Sequence, residues 1–155
     1  MKKLIALLLI VFVYSGDDEV YDPVRIANAI TGLQDEYPEG TPWTNDNVYV
    51  WEREVASGLG FSKYIGRGCA SFAMIASDAA FGKVPAYKKF DRDNIKVGDI
   101  LRVYDDTHFV IVLEDLGNNK YRIAEGNFND SVHYGRVLNL EESGFDYRFT
   151  RYPEQ

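Results

Sequence analysis

A single thiol, two imidazoles and the closely spaced pair Glu125 and Asn127 are the groups in this 155-residue chain whose types and spacing suit covalent catalysis. Cys69, the only cysteine, follows Gly66-Arg67-Gly68 and opens the run CASFAMIASDAAF, whose pattern predicts a helix over 69–81. At a helix N-terminus, unpaired N–H groups and the helix dipole favour the thiolate, which is the nucleophilic form. The same N–H groups suit the oxyanion that develops when a carbonyl is attacked. A base must then lie within reach. His108 opens the segment HFVIVLE on the face of Val110 and Val112, and the following YRIAEGN puts Tyr121, Ile123, Glu125 and Asn127 on one face. The Gly117-Asn118-Asn119 turn folds these segments into a hairpin, setting positions near 108 opposite positions near 125–129. Cys69, His108 and either Glu125 or Asn127 thereby satisfy the nucleophile–base–orienter requirement.

A core histidine hydrogen-bonded to a buried glutamate would read the same way locally. The thiol as third member favours catalysis. The second histidine, His133 in SVHYGR, has no acidic neighbour on its own segment and is read as lining the site. Tyr134 and Trp51 are the other candidate substrate contacts, and Gly66 and Gly68 leave room for a substrate backbone beside the sulfur. Arg136 is suited to pairing with a carboxylate of substrate or protein. No His, Cys and carboxylate cluster falls at zinc-ligand spacing, so neither a metal nor another cofactor is expected.

These groups need elements to hold them. Asp22 caps a first helix with Pro23 at its first position, Ile26, Ala29, Ile30 and Leu33 form its apolar stripe, and Pro38 and Gly40 end it. TPWTNDNVYVW reads as an irregular entry segment anchored by Trp43 and Trp51. In the second helix Phe72, Ile75, Ala76, Ala79 and Ala80 make one buried face, with Gly82 ending it. Beyond it the pattern alternates, with strands expected over 99–104, 108–114, 120–127, 132–140 and 147–152. Helices first and an antiparallel sheet afterwards give an α+β fold in one domain, residues 17–155.

Residues 1–16, MKKLIALLLIVFVYSG, have the form of a secretory signal, with Lys2 and Lys3 before a short apolar run. That run is shorter than the roughly 20 residues a spanning helix needs, so cleavage is favoured over a membrane anchor. Loss of Lys2 and Lys3 takes the formal charge from −7 to −9. Such an acidic domain has no long-range attraction for nucleic acid or an anionic surface. An exported chain with one cysteine can form no internal disulfide, which leaves a buried thiol, an intermolecular link or a working nucleophile.

At GCASF with Cys69, VGDIL with Gly98-Asp99, THFVIVLE with His108, and AEGN with Glu125 and Asn127, the chain resembles the CHAP family of papain-like cysteine hydrolases, relatives of the NlpC-type peptidases. NlpC-type enzymes usually carry a second histidine where Glu125 stands, so the CHAP pattern is the nearer one. The resemblance implies a papain-like core with the nucleophile helix packed on an antiparallel sheet. It implies amidase or endopeptidase action on peptidoglycan peptides, by a monomeric, secreted or wall-associated bacterial enzyme. In that scheme Glu125 holds the imidazole and Asn127 shares or supports the task. Two other readings remain open: a peptidase or transpeptidase with a protein substrate, and a binding module that keeps the fold without catalysis.

Overall fold

Asp22 starts the first helix as expected: its side chain accepts a hydrogen bond from the Arg25 N–H, and Pro23 opens α1, Pro23–Thr31. Ile26 and Ile30, one turn apart, are fully buried from it. A computed structural model describes residues 19–153, so the apolar N-terminal run lies outside the described residues. Among those residues the fold is α+β, with α1, the short α2 (Arg53–Ala56), the central α3 (Cys69–Phe81), the short α4 (Leu140–Ser143) and two antiparallel sheets.

The smaller sheet pairs β1 (Val48–Trp51) with β2 (Tyr64–Arg67). The sequence predicts an irregular segment for the first stretch and assigns no strand to the second. The β-branched and aromatic run VYVW is a good strand former, but its partner YIGR carries a glycine and an arginine and gives little strand signal alone. The larger sheet has the order β3 (Tyr87–Lys89), β8 (Tyr147–Thr150), β4 (Ile100–Val103), β5 (His108–Gly117), β6 (Lys120–Phe128) and β7 (Ser131–Asn139). Two hairpins carry its centre. Asn118 and Asn119 join β5 to β6, and Asn129 and Asp130 join β6 to β7, all with φ between 50° and 60°. Such left-handed pairs match the twist of the strands they connect.

The sheet has a core on each side. On one, Phe109, Ile111, Ala124 and Phe149 pack against Ile26 and Ile30 of α1 and Phe72, Ala73, Ala76 and Ala80 of α3. On the other, Leu101, Val103, Val110, Val112, Tyr121, Ile123, Leu138 and Leu140 form a second cluster. By alternation His108 and Glu125 belong to the second face, while the helix bearing Cys69 packs on the first. Helix α3 is buried nearly all round by both sheets, so a single apolar stripe describes it poorly. Met74 and Ser77 are buried, whereas Ala79, expected on the buried face, is exposed.

Its far end is tied down by Arg151, which is 2% exposed. The guanidinium donates to Asp78 Oδ1 at 2.8 Å, Ser77 Oγ at 3.0 Å and the Gly82 carbonyl. A fixed C-terminus fixes the N-terminus too, because a 13-residue helix moves as a rod.

Candidate active site

Gly68 caps α3 in a left-handed conformation, φ 56° and ψ −120°, that side-chain-bearing residues rarely adopt. Its N–H donates to the Asn47 carbonyl at 2.9 Å, and its carbonyl accepts from Trp43 Nε1 at 3.0 Å and Ser71 Oγ at 2.7 Å. A Cβ here would lie 2.4 Å from Asn45 Oδ1 and 2.8 Å from Asn127 Nδ2. The missing side chain thus lets two amides close on the backbone beside Cys69. Cys69 is the first residue of the helix and only partly exposed.

The β4–β5 turn delivers the imidazole. Tyr104, Asp105 and Asp106 all have left-handed φ, 56°, 54° and 60°, an unusual run for non-glycine residues. Tethers hold it: the Tyr104 N–H donates to the Ser143 carbonyl at 2.9 Å, Thr107 Oγ1 to the Tyr104 carbonyl at 2.6 Å, and the Asp106 N–H to Asp146 Oδ2 at 2.9 Å. His108 follows, its ring between those of Tyr104 and Phe128, with centroids 6.3 and 6.1 Å away. The β5–β6 register pairs Ile111 with Ala124, so one step on sets Val110 opposite Glu125 and leaves His108 its diagonal neighbour. His108 Nε2 lies 2.9 Å from Glu125 Oε1. That bond engages Nε2 and not Nδ1. His108 is the first residue of β5, and its interaction with the Cys69 thiol joins the two groups.

The three groups tune one another. Burial by itself would raise the Cys69 pKa, but the hydrogen bond with His108, the Phe109 backbone N–H and the charges of His108 and Arg102 bring it below the ordinary thiol value. Burial would lower the His108 pKa, but hydrogen bonds to Cys69 and Glu125 and their charges push it up to about 9. Glu125 is fully buried. Burial disfavours its charge, yet Arg136 and His108 hold its pKa below the usual carboxylate value. The arrangement favours a thiolate–imidazolium pair beside the N-terminus of α3.

Arg136 is the member the sequence reading left undecided. Its Nε donates to Glu125 Oε2 and its Nη2 to Oε1, both at 2.7 Å, and Nη1 donates to the Tyr104 hydroxyl at 3.0 Å. Its guanidinium also lies over Phe128, 4.4 Å from the ring centroid. The partner is therefore a carboxylate of the protein itself.

Several expected roles change. Asn127 does not share a task with Glu125, whose hydrogen bonds go to His108 and Arg136. Between Glu125 and Phe128 strand β6 carries one extra residue against β7. Asn127 sits in that bulge at φ 57° and donates to Asn45 Oδ1 at 3.0 Å. Trp51 is fully buried against Tyr64 and Phe149, so no bound substrate reaches it. Gly66 is buried too; a Cβ there would lie 2.4 Å from Met74 Sδ, so it serves the packing of β2 on α3. Gly68 is likewise covered, and its space is taken by Asn45 and Asn127.

His133 stands opposite Glu125 in the register but turns to Glu39, with Nδ1 2.7 Å from Oε1. Its acidic partner comes from a distant loop, which inspection of its own segment could not find. Tyr134 donates its hydroxyl to the Tyr37 carbonyl at 2.8 Å and packs edge-on against Phe72. Gly98-Asp99 is structural. Asp99 is fully buried, accepts from the Lys96 N–H at 3.0 Å and Arg148 Nη1 at 2.8 Å, and burial pushes its pKa up to about 6. Among the described residues no group of three or more His, Cys, Asp or Glu side chains could hold a metal ion. No helix among them is long and apolar enough to cross a membrane. No family model, curated protein or solved structure matches the chain.

Proposed function

We propose that this chain is an exported cysteine hydrolase with a papain-like core that cleaves amide bonds, with peptidoglycan peptides as its substrate class. One observation carries the reading: His108 is bonded to the buried carboxylate of Glu125 and interacts with the Cys69 thiol, which stands at a helix N-terminus. Structural histidine–glutamate pairs do not require a thiol on the remaining imidazole nitrogen.

The Cys69 thiolate attacks the amide carbonyl, and the oxyanion is met by N–H groups at the start of α3. The imidazolium of His108 gives its proton to the departing amine as the C–N bond breaks, leaving a thioester. Neutral His108 then takes a proton from water. The resulting hydroxide attacks the thioester carbonyl, and the thiolate leaves with the imidazolium restored. Glu125 keeps the ring oriented and stabilises its positive form throughout.

The test is the alkylation rate of Cys69 by iodoacetamide against pH, run beside digestion of purified sacculi with analysis of the released fragments. Alkylation is expected to be fast well below the ordinary thiol range, near pH 8.5. It should stay fast when His108, held at about 9, loses its proton, because the sulfur remains a thiolate. Cys69→Ala should abolish both signals, and His108→Ala should cut hydrolysis by at least about a hundredfold. A rate that climbs only above about pH 8, with no fragments released, would leave a thiol without activation and sink the proposal.

A further inference from the structure

Strand β7 is out of step with a simple alternating strand at one place. Ile123 pairs with Arg136 and Ala124 with Tyr134, so Gly135 is an extra residue, and it takes φ 100°. Had β7 alternated regularly with Gly135 in line, residue 136 would fall on the face opposite His133. The bulge brings Arg136 onto the face of Glu125, where the two-pronged contact forms. The same guanidinium reaches Tyr104, in the turn that delivers His108, and covers Phe128 on the other flank of the imidazole. One cation thus touches the carboxylate and both rings that enclose the histidine.

We propose that Arg136 is a positioning residue of this site, gripping both oxygens of Glu125 so that the carboxylate stays an oriented, ionised acceptor for His108 and does not take up the proton itself. This rests on the cysteine hydrolase reading for its catalytic meaning. The physical logic is a division of charge. Glu125 Oε1 receives both His108 Nε2 and Arg136 Nη2, so its single negative charge is shared between two cations. Without the arginine, the whole charge would face the imidazolium, making it a poorer acid towards the leaving amine and a slower base for the water step. A buried carboxylate without that partner would also protonate more readily.

The other charged and titratable groups around the pair are few. Cys69 faces His108 from α3 and Arg102 of β4 acts on the thiol; Asp106 is tied to Arg102 at 2.7 Å. Tyr104 lies beside the ring, and His133, opposite Glu125, is held by Glu39.

The experiment is an NMR pH titration of His108 in the full chain, comparing wild type with Arg136→Met, Arg136→Lys and Tyr104→Phe, with the Cys69 alkylation profile of each alongside. In Arg136→Met the His108 midpoint should rise by about half a unit or more, and a new inflection from Glu125 should appear on the acid side. Alkylation should then fail at acid pH where wild type still reacts. Arg136→Lys, a point charge without the fork, should return part of the wild-type midpoint. If His108 titrates within about 0.2 units of wild type in both arginine variants while only thermal stability drops, Arg136 is a structural clamp and the inference falls. Should Arg136→Met not fold, Arg136→Lys and Tyr104→Phe decide: midpoints unmoved in both overturn the inference. The NMR readout does not depend on catalysis. An inert wild-type thiol would sink the functional reading while leaving the arginine's effect on His108 measurable.

Discussion

Glu125 carries the densest set of interactions at the site, and its loss is expected to show in two ways. Glu125→Gln would leave Arg136 without its charge partner and His108 without its anionic acceptor, at a cost of about 3 to 5 kcal/mol in a urea unfolding measurement. The same change should lower the His108 midpoint from about 9, because both the hydrogen bond and the charge that raise it are weakened. With a weaker imidazolium beside it the thiol would ionise less readily, and alkylation of Cys69 would set in at a higher pH than in wild type. The meeting of Cys69, His108 and Glu125 was legible from sequence because a helix start, a strand start and a two-residue turn are local signals. Trp51 and Asn127 were misread for different reasons. Nothing local distinguishes a tryptophan that fills a core from one that faces a cleft, and Asn127 leaves its expected face through a bulge that alternation does not foresee.

At the scale of the elements, the junction from β2 to α3 is the most exacting. Gly68→Ala forces a Cβ into the space of Asn45 and Asn127 and strains a backbone at φ 56°. The expected cost is about 1 to 3 kcal/mol in chemical unfolding. Because the shift falls beside the sulfur, the alkylation rate should drop as well, and a variant that unfolds more easily but alkylates normally would refute that link. The five later strands and both main helices were readable from periodicity. The hairpin of β1 and β2, and the short β3, were not. Their strand state depends on partners far along the chain, such as β8 for β3, and not on any local pattern.

For the molecule as a whole, the pair at the site predicts an unusual dependence of stability on pH. His108 is raised from 6.5 to about 9, so its contribution is complete below 6.5 and fades as pH rises through 9. Cys69 is lowered from 9.0, so its contribution is complete above that value and fades as pH falls through its folded value. Below pH 9, where the two ranges overlap, the slopes oppose each other, so wild-type stability should change less with pH than either group alone would make it. Cys69→Ala removes one slope and should expose the part of the other that Glu125 maintains, as a urea midpoint that declines with rising pH. A variant as level as wild type would show that the two groups are not coupled in this way. The bulges at Asn127 and Gly135 carry a consequence of another kind. In the hairpin of β6 and β7, what each side chain faces is decided by counting residues, odd against even, as well as by their identity. Inserting one residue between Gly135 and Arg136 would change no reactive group, yet it would turn Arg136 and every residue after it in β7 to the opposite face. Drift in this chain should therefore tolerate many substitutions along the hairpin, while single-residue insertions beside Arg136 are purged.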